Sequence, residues 1–149
     1  MAVYYVSATD GNDSDNGSTA ALAFATIGAG ENAAQTAGDI VYIAPGNYRE
    51  KVVHGYSGTA ADRIYFIGDP DCEHFPDVIP GIVRITLASD ANELADDGSG
   101  TTNGVVIKTN GRDYITWKNV HVDGGSGGIS AYNDSNSYYM ATFEANAEL

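Results

Sequence analysis

The sequence predicts an all-β fold, a right-handed parallel β-helix of about four rungs with a short N-terminal capping helix, and three observations carry that prediction. The first is "AGDIVYIAPGNYREKVV" at 37–53, where two apolar runs meet at Pro45-Gly46 with none of the Asn-Gly or Asp-Gly centres that tight hairpins favour. The junction therefore reads as a corner. The second is "YITWKNVHV" at 114–122, whose apolar residues fall at 115 and 117 and then at 120 and 122. A one-residue slip would turn every later side chain to the opposite face of a flat strand. A bend at Asn119, a residue type that tolerates left-handed backbone, keeps Ile115, Trp117, Val120 and Val122 facing one interior. The third is a faint repeat: "VVI" at 105–107 and "GIS" at 128–130 lie 23 apart, and "YITW" at 114–117 and "YYMA" at 138–141 lie 24 apart. A period in the twenties marks a solenoid.

In chain order, "VYYVSA" (3–8) is a short β-favouring run, and "DGNDSDNGS" (10–18) is a turn-forming loop. "ATIGAGENAAQTAGD" (25–39) is the one plausible helix, with Thr26 as N-cap and Gly38 as a left-handed stop. Gly28 and Gly30 weaken it, so two or three turns are expected, lying over the open first coil. Strand runs follow at 39–44, 48–53, 63–68, 82–87, 104–108, 113–123, 128–132 and 138–143. Val41 and Ile43 point inward before the Pro45-Gly46 corner, and Tyr48 and Val52 after it. Segments 69–81 and 88–103 read as polar loops. The whole of 1–149 forms one domain, with strand, loop and cap helix over 1–38 and rungs over 39–149.

Bulk composition excludes several functions. Seven basic against twenty acidic residues leave a formal charge of −13, and every basic residue lies between Arg49 and Lys118. Such a chain repels phosphate backbones and anionic lipid, so neither nucleic acid nor membrane is an expected partner. The single cysteine, Cys72, excludes an internal disulfide framework. No secretion signal or membrane span is legible, since apolar stretches fall far short of the ~20 residues that cross a bilayer. Eighteen glycines and ten tyrosines suit a β-rich, turn-rich chain.

The pieces "YYVSATDGNDSDNGS", "FATIGAGENAAQTAGDIVYIAPGNYRE" and "DYITWKNVHVDG" resemble the amino-terminal portion of right-handed parallel β-helix proteins of the pectate-lyase-like superfamily. The resemblance covers roughly residues 3 to 125 and implies the family's opening strand, cap helix, corner and a standard rung. It implies little about activity, because the superfamily includes polysaccharide lyases, glycoside hydrolases, phage tailspikes and non-catalytic surface proteins. Family enzymes have more rungs than this chain, which ends "FEANAEL" with no closing cap. Either the chain is a piece of a longer protein, or its last rung docks on another copy, as in a trimer, or on a partner.

Three constellations are candidates for chemistry. Asp10, Asn12, Asp13 and Asp15 form an oxygen-rich loop of the kind that holds calcium, but position 6 from Asp10 is Asp15 where an EF-hand needs Gly, and position 12 is Ala21 where it needs Glu. The same residues also suit Asx-turns in a surface loop. His121 and Asp123 project outward together if Val120 and Val122 face inward, with Lys118 and Thr116 on the neighbouring face; that set suits acid–base chemistry or a sugar. A lyase-like set would draw carboxylates from Asp69, Asp71, Glu73, Asp96 and Asp97 and cations from Arg84, Lys108 and Arg112. His54 and His74 stand isolated, and Cys72 with His74 makes a lone C-x-H.

The leading functional expectation is a non-enzymatic structural or recognition module on a virion or extracellular surface, of the phage tailspike or capsid-decoration type, that contacts polysaccharide through its exposed tyrosines. The alternative is an N-terminal fragment of a secreted polysaccharide lyase or glycoside hydrolase. No cofactor beyond calcium is suggested.

Overall fold

A computed structural model describes residues 1–86, 106–123, 129–130 and 143–144. The 88–103 loop with Asp96 and Asp97, and residues 131–132 and 138–142 of the last two strand runs, lie outside the described residues. The elements in order are β1 (Val3–Val6), α1 (Ile27–Ala33), β2 (Ile40–Ile43), β3 (Gly46–Arg49), β4 (Val52–Val53) and β5 (Ile64–Gly68). Then come β6 (Val83–Thr86), β7 (Ile107–Lys108), β8 (Ile115–Lys118), β9 (His121–Asp123), β10 (Ile129–Ser130) and β11 (Phe143–Glu144). They form three sheets, ordered β1-β2-β5-β8-β11, β3-β6-β9 and β10-β7-β4. Every strand pairing among the described residues is parallel. From β2 onward the chain visits the first, second and third sheets in turn and then returns to the first. Parallel neighbours cannot be joined by a tight turn, so the strands of the other two sheets serve as the connection. The result is an all-β parallel fold with little helix.

The corners separate sheets. β2 and β3 flank Pro45-Gly46 and lie in the first and second sheets, as β8 and β9 do across Asn119. Asn119 has φ +54°, in the left-handed region. Exchanging Asn119 for alanine should therefore cost about 1–2 kcal/mol in a denaturation midpoint, whereas glycine should cost less, because only the Cβ disfavours that backbone.

The core is built of columns that run from coil to coil. In the first sheet Tyr4, Val41, Phe66 and Trp117 lie in one register, as do Ile64 and Ile115. Tyr48, Ile85 and Val122 make the column of the second sheet, and Val52 and Ile107 that of the third. Val41, Ile43, Tyr48, Val52, Ile115 and Trp117 are buried, with Val120 and Val122 half-buried against the same cluster. Alternation puts every second side chain inside, and in-register stacking places each on its counterpart in the next coil.

Three sequence expectations need correction. The helix ends at Ala33, and Gly38 does not stop it; Gly38, with φ +89°, turns the chain into β2 while its amide donates to the Arg63 carbonyl at 3.1 Å. The glycines explain the shortness: α1 presses so closely on the core that a Cβ at Gly30 would come 2.8 Å from Val6 Cγ2, and two glycines in seven residues cost helix propensity. The 48–53 run is two strands in different sheets, because the chain turns at Glu50 and Lys51. Glu50 is drawn to the start of α1, where its carboxylate accepts from Ile27 N at 2.7 Å and Gly28 N at 2.8 Å. Burial raises the Glu50 carboxyl above its ordinary pKa, and the two amide bonds oppose that rise. The repeat offsets also differ. Ile107 pairs with Ile129 and Trp117 with Phe143, offsets of 22 and 26. Strand hydrogen bonds set the register, and corners of unequal length shift it.

The outer edge of β1 is covered by the loop that precedes the helix: Tyr5 N donates to Gly17 O and Ser7 N to Phe24 O, each at 2.8 Å. This blunts an edge that would otherwise invite pairing. The helix packs against β1, β2 and β4 and buries Ile27 in the core. No helix among the described residues is long and apolar enough to cross a membrane.

Candidate functional site

The outer face of the second sheet gathers the most chemistry. Since Tyr48, Ile85 and Val122 point inward, alternation sends Asn47, Arg49, Arg84, Thr86 and His121 to the other face. Register stacks three coils in two rows, with Asn47 on Arg84 on His121 in one and the positions of Arg49, Thr86 and Asp123 in the other. Neighbouring strands lie ~4.8 Å apart, and the diagonal from Arg49 to Arg84 is of order 7 Å. Asn47, Arg49 and His121 are exposed, Arg84 is half-buried and Thr86 is buried. Two guanidinium groups, an imidazole, an amide and the backbone position of Asp123 thus share one three-stranded sheet of an otherwise acidic protein. Rows of donors and acceptors can hold the hydroxyl or carboxylate groups of an extended ligand, and the His121 imidazole adds a ring nitrogen that can donate or accept a hydrogen bond.

Lys118 stands apart from that face. It pairs with Ile67 on the outer side of the first sheet, across the Asn119 bend. Thr116, on the same strand, is buried, and its hydroxyl accepts from Arg63 Nε at 2.6 Å. Lys108 lies in the third sheet and Arg112 in the turn before β8, so the cations of the lyase-like set belong to different faces.

The acidic N-terminal loop is occupied by structural bonds. Asp13 accepts from Ala25 N at 2.8 Å, Thr26 N at 3.0 Å and Thr26 Oγ1 at 2.9 Å. Asn12 Oδ1 accepts from Ser14 N at 3.0 Å in an Asx-turn. Thr26 in turn accepts from Ala29 N at 3.1 Å, so Asp13 and Thr26 together fasten the loop to the helix start. No group of three or more His, Cys, Asp or Glu side chains converges as a metal site among the described residues, Asp10, Asp13 and Asp15 included.

The 69–81 loop is less polar in structure than in sequence. Asp69 accepts from Glu73 N at 3.1 Å and His74 N at 2.7 Å, closing a turn that carries Phe75 into a second apolar cluster with Ala23 and Ala44. His74 stacks on Tyr42 with ring centroids 3.7 Å apart, and Phe75 meets Tyr5 edge-on at 5.7 Å. These contacts cover two tyrosines that would otherwise offer a sugar their faces, while Tyr48 is in the core. Desolvation, then the Asp69 and Asp71 charges, hold the Cys72 thiol above its ordinary pKa, which suits neither a thiolate nucleophile nor a metal ligand. A cleft of about 90 Å³ between this loop and Ser7, Asp10, Ala20 and Ala21 is well below the ~300 Å³ at which small-molecule pockets begin.

Asn47 and Arg49 carry no signal of their own in the sequence. They are 37 residues from the Arg84 and Thr86 positions they stack on, and only the alternation around Tyr48 marks them as outward.

Comparison with known proteins gives a likeness of fold. The GH136 lacto-N-biosidase from Eubacterium ramulus, solved as a selenomethionine derivative, superposes with a TM-score of 0.59 at 19% identity, over 95% of this chain and 23% of that one. The native structure of that enzyme gives a TM-score of 0.55 at 19% identity, over 88% and 21%. The chain therefore spans about a quarter of the length of these structures or less. No protein-family model and no curated protein matches the sequence.

Proposed function

We propose that the chain forms about four rungs of a right-handed parallel β-helix of the pectate-lyase-like kind, and that it is a portion of a glycan-processing protein of the glycoside hydrolase type. The single observation that carries this reading is the likeness to the lacto-N-biosidase over 95% of the chain. It favours the glycoside hydrolase alternative over a phage virion role, for which neither the fold nor the comparisons offer support. Within that reading, the outer face of the second sheet is the glycan-contacting surface, with Asn47, Arg49 and Arg84 as hydrogen-bond donors and His121 with Asp123 at its C-terminal end.

The test is binding of immobilised oligosaccharides, neutral and acidic and with lacto-N-biosides among them, by the chain and by Arg49→Ala and His121→Ala. Each variant should bind its best glycan ~10-fold more weakly, about 1.4 kcal/mol, while its circular dichroism is unchanged. A chain that binds none of the panel, or variants that bind as well as the parent, would overturn the reading.

A further inference from the structure

A polar chain crosses the apolar core and is not used by the proposed glycan face. His54, 1% exposed, follows β4 and lies edge-on beside the stacked Phe66 and Trp117, whose ring centroids are 5.0 and 5.7 Å from its own. Its Nε2 accepts from the Trp117 indole N–H at 3.0 Å. Acceptance at Nε2 places the proton of the neutral ring on Nδ1. That nitrogen faces Glu31 Oε1 at 3.8 Å, too far for a hydrogen bond, while the same oxygen accepts from Gly55 N at 2.7 Å. Glu31 is itself buried, on the core side of α1.

The groups around His54 are Glu31 from α1, Phe66 from β5, Trp117 from β8 and the backbone carbonyl of Lys108 from β7, which accepts from His54 N at 3.0 Å. Of these groups, Glu31 is the one with a charged side chain. Three parts of the molecule that are distant in sequence are thereby joined: the capping helix, the third sheet's first strand and the third coil of the first sheet.

We propose that Glu31, His54 and Trp117 form an acid-sensitive latch. Protonation of His54 converts Nε2 from acceptor to donor and sets it against the indole N–H, so the Trp117 bond must break. The imidazolium then draws toward Glu31, and the ring stack beneath the helix is disturbed. Mild acid thus loosens the seat of α1 on the core, and neutral pH restores it.

The chain has a single tryptophan, so its emission, excited selectively over tyrosine, reports on this contact alone. As the solution is taken from neutral pH into mild acid, the emission should shift to longer wavelength and become more accessible to acrylamide, reversibly. His54→Gln should abolish the change while keeping the fold, because its amide oxygen accepts from Trp117 and its amide nitrogen points to Glu31 without titrating. His74→Gln and His121→Gln should retain it. Emission that does not respond to pH in the parent, or a response that survives His54→Gln, would overturn the latch.

Discussion

Trp117→Ala is expected to lower the unfolding free energy by about 3–5 kcal/mol, the range for deleting a large aromatic side chain from a packed core. The side chain is fully buried and stacks on Phe66 with centroids 4.5 Å apart and planes 16° from parallel. It also holds the proton that satisfies His54 Nε2. Two effects therefore add: a cavity in the first sheet's column, and a buried acceptor without its donor. Trp117→Phe goes part of the way to separating them, since phenylalanine keeps a ring on Phe66, leaves a smaller cavity than alanine and removes the donor; it should cost about 1–3 kcal/mol. Chemical denaturation followed by circular dichroism measures both. If alanine cost less than phenylalanine, the cavity argument would be wrong.

Gly68→Ala should destabilise by about 3 kcal/mol or more, at the upper end of what overpacking costs. A Cβ there would overlap the Asn119 carbonyl oxygen, come 2.9 Å from the Asn119 carbonyl carbon and 3.2 Å from Val83 Cγ2. The first two are backbone atoms of the bend in the next coil, and they cannot rotate away as a side chain would. Gly111→Ala is the control. Its φ is +72°, and a methyl group added there would meet nothing within 4 Å, so it should cost only the ~1–2 kcal/mol of left-handed strain. Equal melting temperatures for the two variants would mean that the coils do not meet at Gly68 and Asn119.

Legibility in the sequence follows the range of the interaction. Alternation within "DIVYIA" puts Val41 and Ile43 on one face, and both are fully buried. The phase slip in "YITWKNVHV" falls at the residue with φ +54°. Both are local facts of a strand and a bend. The turn at Glu50 is not legible, because "YREKVV" keeps strand-forming residues through it, and its cause is a carboxylate bonded to amides 22 and 23 residues away. His54 looks isolated in the sequence for the same reason, since its partner Trp117 lies 63 residues along the chain. Phe75 sits in a segment that reads as a polar loop, although the turn closed by Asp69 carries it into an apolar cluster.

For the candidate site the division is similar. His121 and Asp123 can be paired from spacing alone, because residues two apart on a strand share a face. The association of His121 with Arg84 and Asn47, and of Asp123's position with Arg49, depends on which coil lies against which. Lys118 shows the converse: it is three residues from His121 in sequence, yet the bend at Asn119 places it on another sheet.

By itself the sequence determined the bends at Pro45-Gly46 and Asn119 and which side chains beside them point inward, because alternation and backbone preference act over a few residues. Only the tertiary structure decided which residue stacks on which. That register comes from hydrogen bonds between coils, and the connections are unequal: Ile40 pairs with Tyr65 after 25 residues, but Tyr65 pairs with Thr116 after 51. A one-residue slip in the pairing of two coils would turn every outward side chain of the next coil inward, so the face that gathers Arg49, Arg84 and His121 is a property of the assembled coils.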